Sequence, residues 1–192
     1  ANLSDEIAYN NHDVDDGIRA GLITLDDLIE VPLVARHVAS VDAQYPGLAP
    51  RRRVHETIRR MINEVAGDVI AHTSSAIEAT APASIDDVRL APRPMAGMSE
   101  QMRRDHVQLK RFLHERVYRH HRVIRMTSKA QRVIKALFDA FMADPRLMPI
   151  EYAEAVGVAQ GMQGDGGKAR IVADYIAGMT DRYAILEHRR MF

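Results

Sequence analysis

Residues 51–79 read RRRVHETIRRMINEVAGDVIAHTSSAIEA, and their apolar side chains recur every three or four positions. The recurring positions are Val54, Ile58, Met61, Ile62, Val65, Val69 and Ile70. This period is that of one face of an amphipathic α-helix, whereas a half-buried strand would alternate every second residue. The segment therefore predicts a long helix that packs its apolar face against other parts of the chain.

The rest of the 192-residue chain shows the same period, interrupted by proline and glycine. Ser99 is expected to begin another long helix that ends near His121. Residues 80–98 predict the main irregular connection, and the four glycines between Gly161 and Gly167 predict a flexible turn. No alternating pattern lasts more than a few residues, so the predicted fold class is all-α and multi-helical.

Composition excludes several classes of protein. With 46% hydrophobic and 27% charged residues, the chain is expected to fold into a globular structure. The absence of cysteine excludes a disulfide scaffold and a cysteine nucleophile, and fits a reducing, cytoplasmic location. No apolar run is long enough to span a membrane. The chain opens on Ala1 with a helical pattern almost at once, so we expect the downstream piece of a longer protein.

A net charge of zero hides a strong asymmetry along the chain. Residues 1–30 carry eight acidic side chains against one arginine, and residues 103–135 carry eleven basic side chains against two acidic ones. An acidic segment suits a metal ion or a basic partner, and a basic segment suits phosphate, nucleic acid or an acidic partner. Solvated helix faces, or pairing between the two segments, would explain the same charges.

Two sets of residues at four-residue spacing are candidate binding faces. Asp5, Tyr9 and Asp13 would share one helix face, which offers carboxylates to a cation or to sugar hydroxyls and a phenol to a ring or a phosphate. Lys110, His114 and Tyr118 would form a second face in the basic segment, which suits polyphosphate and a sugar or base. Helix-dipole stabilisation of Asp5 and a cationic surface stripe are the structural alternatives.

Three stretches together resemble one enzyme family, the HD-domain deoxynucleoside triphosphate triphosphohydrolases, which include the dGTPases. Residues 5–17, DEIAYNNHDVDDG, are similar to the last metal-binding helix of that family. Residues 109–120, LKRFLHERVYRH, followed by Leu137-Phe138 and Asp144-Pro145, look like its helix over the substrate. Residues 174–183, DYIAGMTDRY, are similar to bacterial members.

The resemblance implies a reaction and a set of site residues. The family hydrolyses a dNTP, for example dGTP, to a deoxynucleoside and triphosphate, and an HD site binds a divalent metal ion such as Mg²⁺ or Mn²⁺. Asp5 matches the final metal ligand of that site. Substrate contacts are implied for Tyr9 with sugar and phosphates, Asp13 with the 3′-hydroxyl, Tyr118 under the deoxyribose, and Lys110 and His114 at the phosphates.

The resemblance also predicts an incomplete site. The first histidine and the His-Asp pair of the family lie upstream of the motif that begins at Asp5, and so do its catalytic histidines. His12-Asp13 follows the final Asp and is not that pair, and Glu6 stands where some relatives carry a basic residue. We therefore expect no catalytic residue in this chain and no turnover by the chain alone. Residues 1–45 are expected to end the metal-binding domain, and residues 46–192 to form a helical region that covers the substrate and supports oligomerisation.

Two other functions stay open from the sequence. Residues 103–135 would also suit a module that binds single-stranded nucleic acid, although only Phe112 and Tyr118 are available there for stacking on bases. The chain would alternatively serve as an oligomerisation region, because members of the family are homo-oligomers. The preferred dNTP is not legible in the residues.

Overall fold

The computed structural model describes residues 2–192 and confirms the all-α fold class, because these residues contain helices and no β-strand. Two short 3₁₀ turns lie at Asp27–Glu30 and Pro145–Leu147. The α-helices are α1 (Asn2–Arg19), α2 (Pro32–Gln44), α3 (Pro50–Thr80), α4 (Ile85–Arg89), α5 (Glu100–Leu113), α6 (His121–Ala143), α7 (Ile150–Ala177) and α8 (Asp181–Met191).

The chain forms two compact units, and the first ends at His120. In this unit α1 packs against α3 and α5, and α2 packs against α3. The core is built from the apolar stripes of these helices, including the fully buried side chains of Val14, Leu33, Met61, Val65 and Leu109. The stripe predicted from residues 51–79 therefore lies against the first and second helices of the chain.

The helix expected from Ser99 to about His121 is not continuous. Ser99 caps α5 by accepting a hydrogen bond from the backbone of Met102, but α5 ends at Leu113. A single π-helical turn follows at His114–Tyr118, in which the amide of Arg119 donates to the carbonyl of His114 at 3.2 Å. The turn accommodates an extra residue that the side-chain period of an α-helix does not anticipate.

A buried ion pair ties three helices of the first unit together. Asp105 of α5 is 3% exposed, and its carboxylate accepts a hydrogen bond from the Arg36 guanidinium of α2 at 2.7 Å. Arg36 also donates to Glu64 of α3, at 2.6 Å for its shortest contact. This arrangement compensates the charge of a carboxylate that burial alone would strongly disfavour.

The second unit, His121–Phe192, is built from α6, α7 and α8. Its core includes the fully buried side chains of Leu137 and Phe141, with the ring of Tyr175 meeting Phe141 edge-on at 5.5 Å. The flexible turn expected between Gly161 and Gly167 is reduced to a local break, since helical structure runs on both sides of Gly164. Gly164 has φ of 62°, a conformation that favours glycine.

The division at residues 45 and 46 concerns roles rather than compactness, and it stays a prediction. Among residues 2–192, no helix is both long enough and apolar enough to cross a membrane.

Candidate functional site

A cavity of about 500 Å³ lies in the first unit, where α1 faces α5 and the π-turn. It brings together Asp5, Tyr9, Asp13, Lys110 and Tyr118, five of the six residues predicted from the sequence. The other lining residues are Asn2, Glu6 and Asn10. Two separate sequence patterns, about a hundred positions apart, thus meet at one site.

The α1 wall of the cavity follows from helical spacing. Ile7 and Val14 are buried in the core, which turns the face that carries Asp5, Tyr9 and Asp13 towards the cavity. Tyr9 is 66% exposed, so its ring is available to a ligand rather than used in the core. Asp5 lies in the first turn of α1, where the helix dipole favours a carboxylate.

Lys110 reaches the cavity from α5 and is paired with Glu6 of α1. Its Nζ donates to Oε1 of Glu6 at 3.0 Å. This hydrogen bond lowers the pKa of Glu6, and partial burial opposes the effect. The carboxylate of Glu6 therefore stays ionised at neutral pH and occupies the one ammonium group of the cavity lining.

Tyr118 joins the two walls at the far end of the cavity. Its hydroxyl donates a hydrogen bond to the carboxylate of Asp13. Burial, and then this hydrogen bond, raise the pKa of Tyr118 to about 12, so the phenol is neutral at physiological pH. Gly17 permits the approach, because a β-carbon there would lie 3.2 Å from Cγ2 of Val117 and 3.0 Å from Cδ1 of Ile23.

His114 is the predicted site residue that does not line the cavity. It is exposed at the start of the π-turn, and its ring meets the ring of Tyr118 edge-on with 6.3 Å between centroids. The π-turn separates His114 from the face that Lys110 and Tyr118 share, so its predicted phosphate contact stays a prediction.

Two functional candidates, Asn10 and His106, escaped the sequence reasoning. Asn10 lines the cavity although it is only 3% exposed, and its Nδ2 lies 2.5 Å from Nε2 of His106. Burial is the main cause that lowers the pKa of His106, so its imidazole is neutral at physiological pH. The available signal was the amide pair Asn10-Asn11 on the core-facing side of α1, where polar residues are unusual.

Asp5 by itself does not make a metal site. Residues 2–192 contain no group of three or more His, Cys, Asp or Glu side chains that could hold a metal ion. A stable site for a divalent cation needs several ligands. The described residues therefore do not fit a complete centre, and they offer it one carboxylate.

The acidic and basic segments are partly paired with each other within the first unit. Besides Glu6 with Lys110, Glu30 lies 3.7 Å from Arg116 of the π-turn. Such exposed pairs contribute little to stability. Their consequence is electrostatic: they reduce the positive charge that this segment presents.

Comparison with known proteins places these residues in context. The phosphohydrolase-associated domain family matches residues 96–190. Over all 192 residues the chain is 57% identical to the deoxyguanosinetriphosphate triphosphohydrolase-like protein of Bordetella pertussis, and covers 48% of that protein. The proteins of the same name from Ralstonia nicotianae and Azoarcus sp. are 53% and 50% identical, with 47% and 48% of their lengths covered. The chain thus spans about half the length of the curated relatives that it matches.

Proposed function

We infer that this chain, which belongs to the family of deoxyguanosinetriphosphate triphosphohydrolase-like proteins, supplies the sugar- and phosphate-binding part of a dNTP triphosphohydrolase. The reaction would convert a dNTP, with dGTP favoured, and water to a deoxynucleoside and triphosphate. The observation that carries this proposal is the cavity, in which hydrogen-bond acceptors of α1 face Lys110 and Tyr118.

Each wall suits one part of a nucleotide. An ammonium group such as that of Lys110 binds phosphate oxygens through charge-assisted hydrogen bonds. The exposed ring of Tyr9 and the ring of Tyr118 offer apolar surfaces to a deoxyribose, and the carboxylate of Asp13 accepts hydrogen bonds from sugar hydroxyls. His114 lies beside Tyr118, outside the lining, and would reach the phosphates only after a rotamer change.

The metal requirement is assigned to the whole enzyme. Asp5 would give one carboxylate to a divalent ion such as Mg²⁺ or Mn²⁺, whose general role in hydrolases is to polarise a phosphoryl oxygen and activate water. Because the described residues offer no further ligand group, we propose that this chain alone does not turn over dGTP. A malachite-green assay with an added triphosphatase tests this, and clear metal-dependent release of phosphate by the chain alone would refute it.

Binding of dGTP by the chain tests the proposal without requiring turnover. Isothermal titration with dGTP should detect binding, and Lys110→Ala should weaken it about tenfold, the effect of about 1.4 kcal/mol expected for one partly exposed charge-assisted contact. Lys135→Ala is the matched control, because Lys135 is an exposed, singly paired lysine of the second unit. Equal affinity of the Lys110→Ala variant and the wild type would contradict the assignment.

Nucleic-acid binding by the basic segment remains the competing proposal. It would use residues 103–135 and would not need Asp5. Binding of single-stranded DNA with a steep salt dependence, unchanged in Asp5→Ala, would favour it over the nucleotide site.

A further inference from the structure

Asn10 combines burial with access to the cavity in a way that no other lining residue shares. It is 3% exposed, whereas Tyr9 beside it is 66% exposed, yet both line the cavity. Its Nδ2 lies 2.5 Å from Nε2 of His106. Within residues 2–192 no hydrogen bond engages its other amide atom, Oδ1. A buried polar atom without a partner at a cavity indicates a group that a ligand is meant to satisfy.

The chemistry of the pair fixes the direction of the hydrogen bond. An amide nitrogen only donates, so Nε2 of His106 must accept, and the imidazole must be neutral with its proton on Nδ1. His106 is 4% exposed, which disfavours the charged form. Glu6 Oε1, at 3.6 Å from Nε2, and the Lys110 ammonium paired with Glu6 are the charged groups nearest to the ring.

The orientation of the Asn10 amide then determines what it offers. With Nδ2 committed to His106, the carbonyl oxygen is the free end of the group. It can only accept a hydrogen bond, as can the ionised carboxylates of Asp5 and Asp13 on the same helix. A ligand group opposite Asn10 must therefore carry an O–H or an N–H.

We propose that Asn10 is a binding residue of the cavity, that its Oδ1 accepts a hydrogen bond from a nucleotide donor, and that His106 is the positioning residue that holds the amide in this orientation. This inference rests on the proposed nucleotide-binding function. The donor is a hydroxyl of the deoxyribose or an N–H of the purine base, and the experiment distinguishes these two sources.

The orientation is tested first, without a ligand. ¹⁵N NMR of histidine-labelled wild-type protein should show His106 as the neutral tautomer protonated at Nδ1 at pH 7. A proton on Nε2 would overturn the inference, since the amide would then have to present Nδ2 to the cavity.

The ligand contact is tested by a thermodynamic cycle that combines one variant with two analogues. The wild type and Asn10→Ala are titrated with dGTP, with 2′,3′-dideoxyguanosine triphosphate, and with 2′-deoxynebularine triphosphate, whose base carries no N–H. The analogue that lacks the relevant donor should bind the wild type five- to tenfold more weakly than dGTP, and should bind Asn10→Ala as well as dGTP does.

Further variants separate positioning from stability. His106→Gln can still accept from Asn10 and should retain most of the affinity, whereas His106→Leu should reproduce the loss seen in Asn10→Ala. Asn11→Ala is the matched control, because Asn11 is equally buried on α1 but donates to the carbonyl of Ile7. It should lower the melting temperature and leave dGTP affinity unchanged.

The possible failures are distinguishable. If the wild type binds dGTP and both analogues lose equal affinity with and without Asn10, the inference is wrong and the proposed function stands. If the wild type does not bind dGTP, the proposed function fails and the ligand contact fails with it, while the tautomer of His106 still decides the orientation of the amide.

Discussion

Replacement of Glu6 by glutamine should increase the affinity of the cavity for triphosphate. In the free protein Lys110 is held by Glu6, with 3.0 Å between Nζ and Oε1, so a ligand phosphate must compete with that carboxylate. Glu6→Gln keeps the size of the side chain, releases the ammonium from an ionic partner and removes a negative charge from the lining. All three effects on an anionic ligand have the same sign or are neutral.

The magnitude follows from the exposure of the pair. Two unit charges 3.0 Å apart interact by about 1.4 kcal/mol in bulk water. The side chains of Lys110 and Glu6 are 57% and 40% exposed. Measured values for exposed pairs are about 0.2–1 kcal/mol, because ordering the side chains offsets part of the attraction. Release of Lys110 should therefore tighten triphosphate binding by a factor of about 1.4 to 5.

Isothermal titration of the chain with inorganic triphosphate in EDTA measures this gain without a metal ion. Glu115→Gln is the matched control, because Glu115 also pairs with a basic side chain at 3.0 Å but does not line the cavity. The gain for Glu6→Gln should shrink as salt is raised, since screening weakens the pair that the substitution breaks. Weaker binding than wild type, or an equal gain in Glu115→Gln, would refute the reasoning.

Four further outcomes are expected. Tyr118→Phe should remove a phenol that titrates near pH 12 in a spectroscopic titration; the hydrogen bond to Asp13 stabilises the fold below about pH 10, and this stabilisation is lost as the pH rises through 12. Arg36→Met should lower the free energy of unfolding in urea by about 3 kcal/mol, because Asp105 would be left buried without its cation; a loss below about 1 kcal/mol would contradict this. Single-stranded dT oligomers should bind with a shallow salt dependence, because acidic side chains already pair with part of the basic segment; a log–log slope steeper than about −5 would favour the nucleic-acid module. Light scattering should report a homo-oligomer, because α6 and α7 expose large apolar side chains; a monomer would contradict this.

The sequence was most informative where regular helical geometry alone positions the side chains. Spacing of four residues placed Asp5, Tyr9 and Asp13 on one face, and the structure shows all three at the same cavity. The capping residues were equally legible: Thr24, Ser84 and Thr180 each accept a backbone hydrogen bond three residues further on. These features depend on local chemistry within a few residues, which a single sequence contains.

The pair formed by Asn10 and His106 was not legible, because its members lie 96 positions apart and each has a bland explanation on its own helix. His106 shares the apolar stripe of α5 with Leu109 and Leu113, where a histidine is usually a core residue. Only the packing of α1 against α5 brings the amide and the imidazole together. Long-range polar contacts of this kind depend on tertiary structure and have no periodic signature.

The π-turn explains why the second predicted face was only partly right. In a continuous α-helix each residue advances about 100° around the axis, so Tyr118 would lie about 80° away from Lys110, with His114 between them at about 40°. The bond from the amide of Arg119 to the carbonyl of His114 spans five residues and absorbs one extra position. Tyr118 then returns to within about 20° of Lys110, and His114 is left to one side. The irregularity that ends α5 is therefore what aligns the ammonium with the phenol along the cavity, and Gly17 gives the turn room to lie against α1.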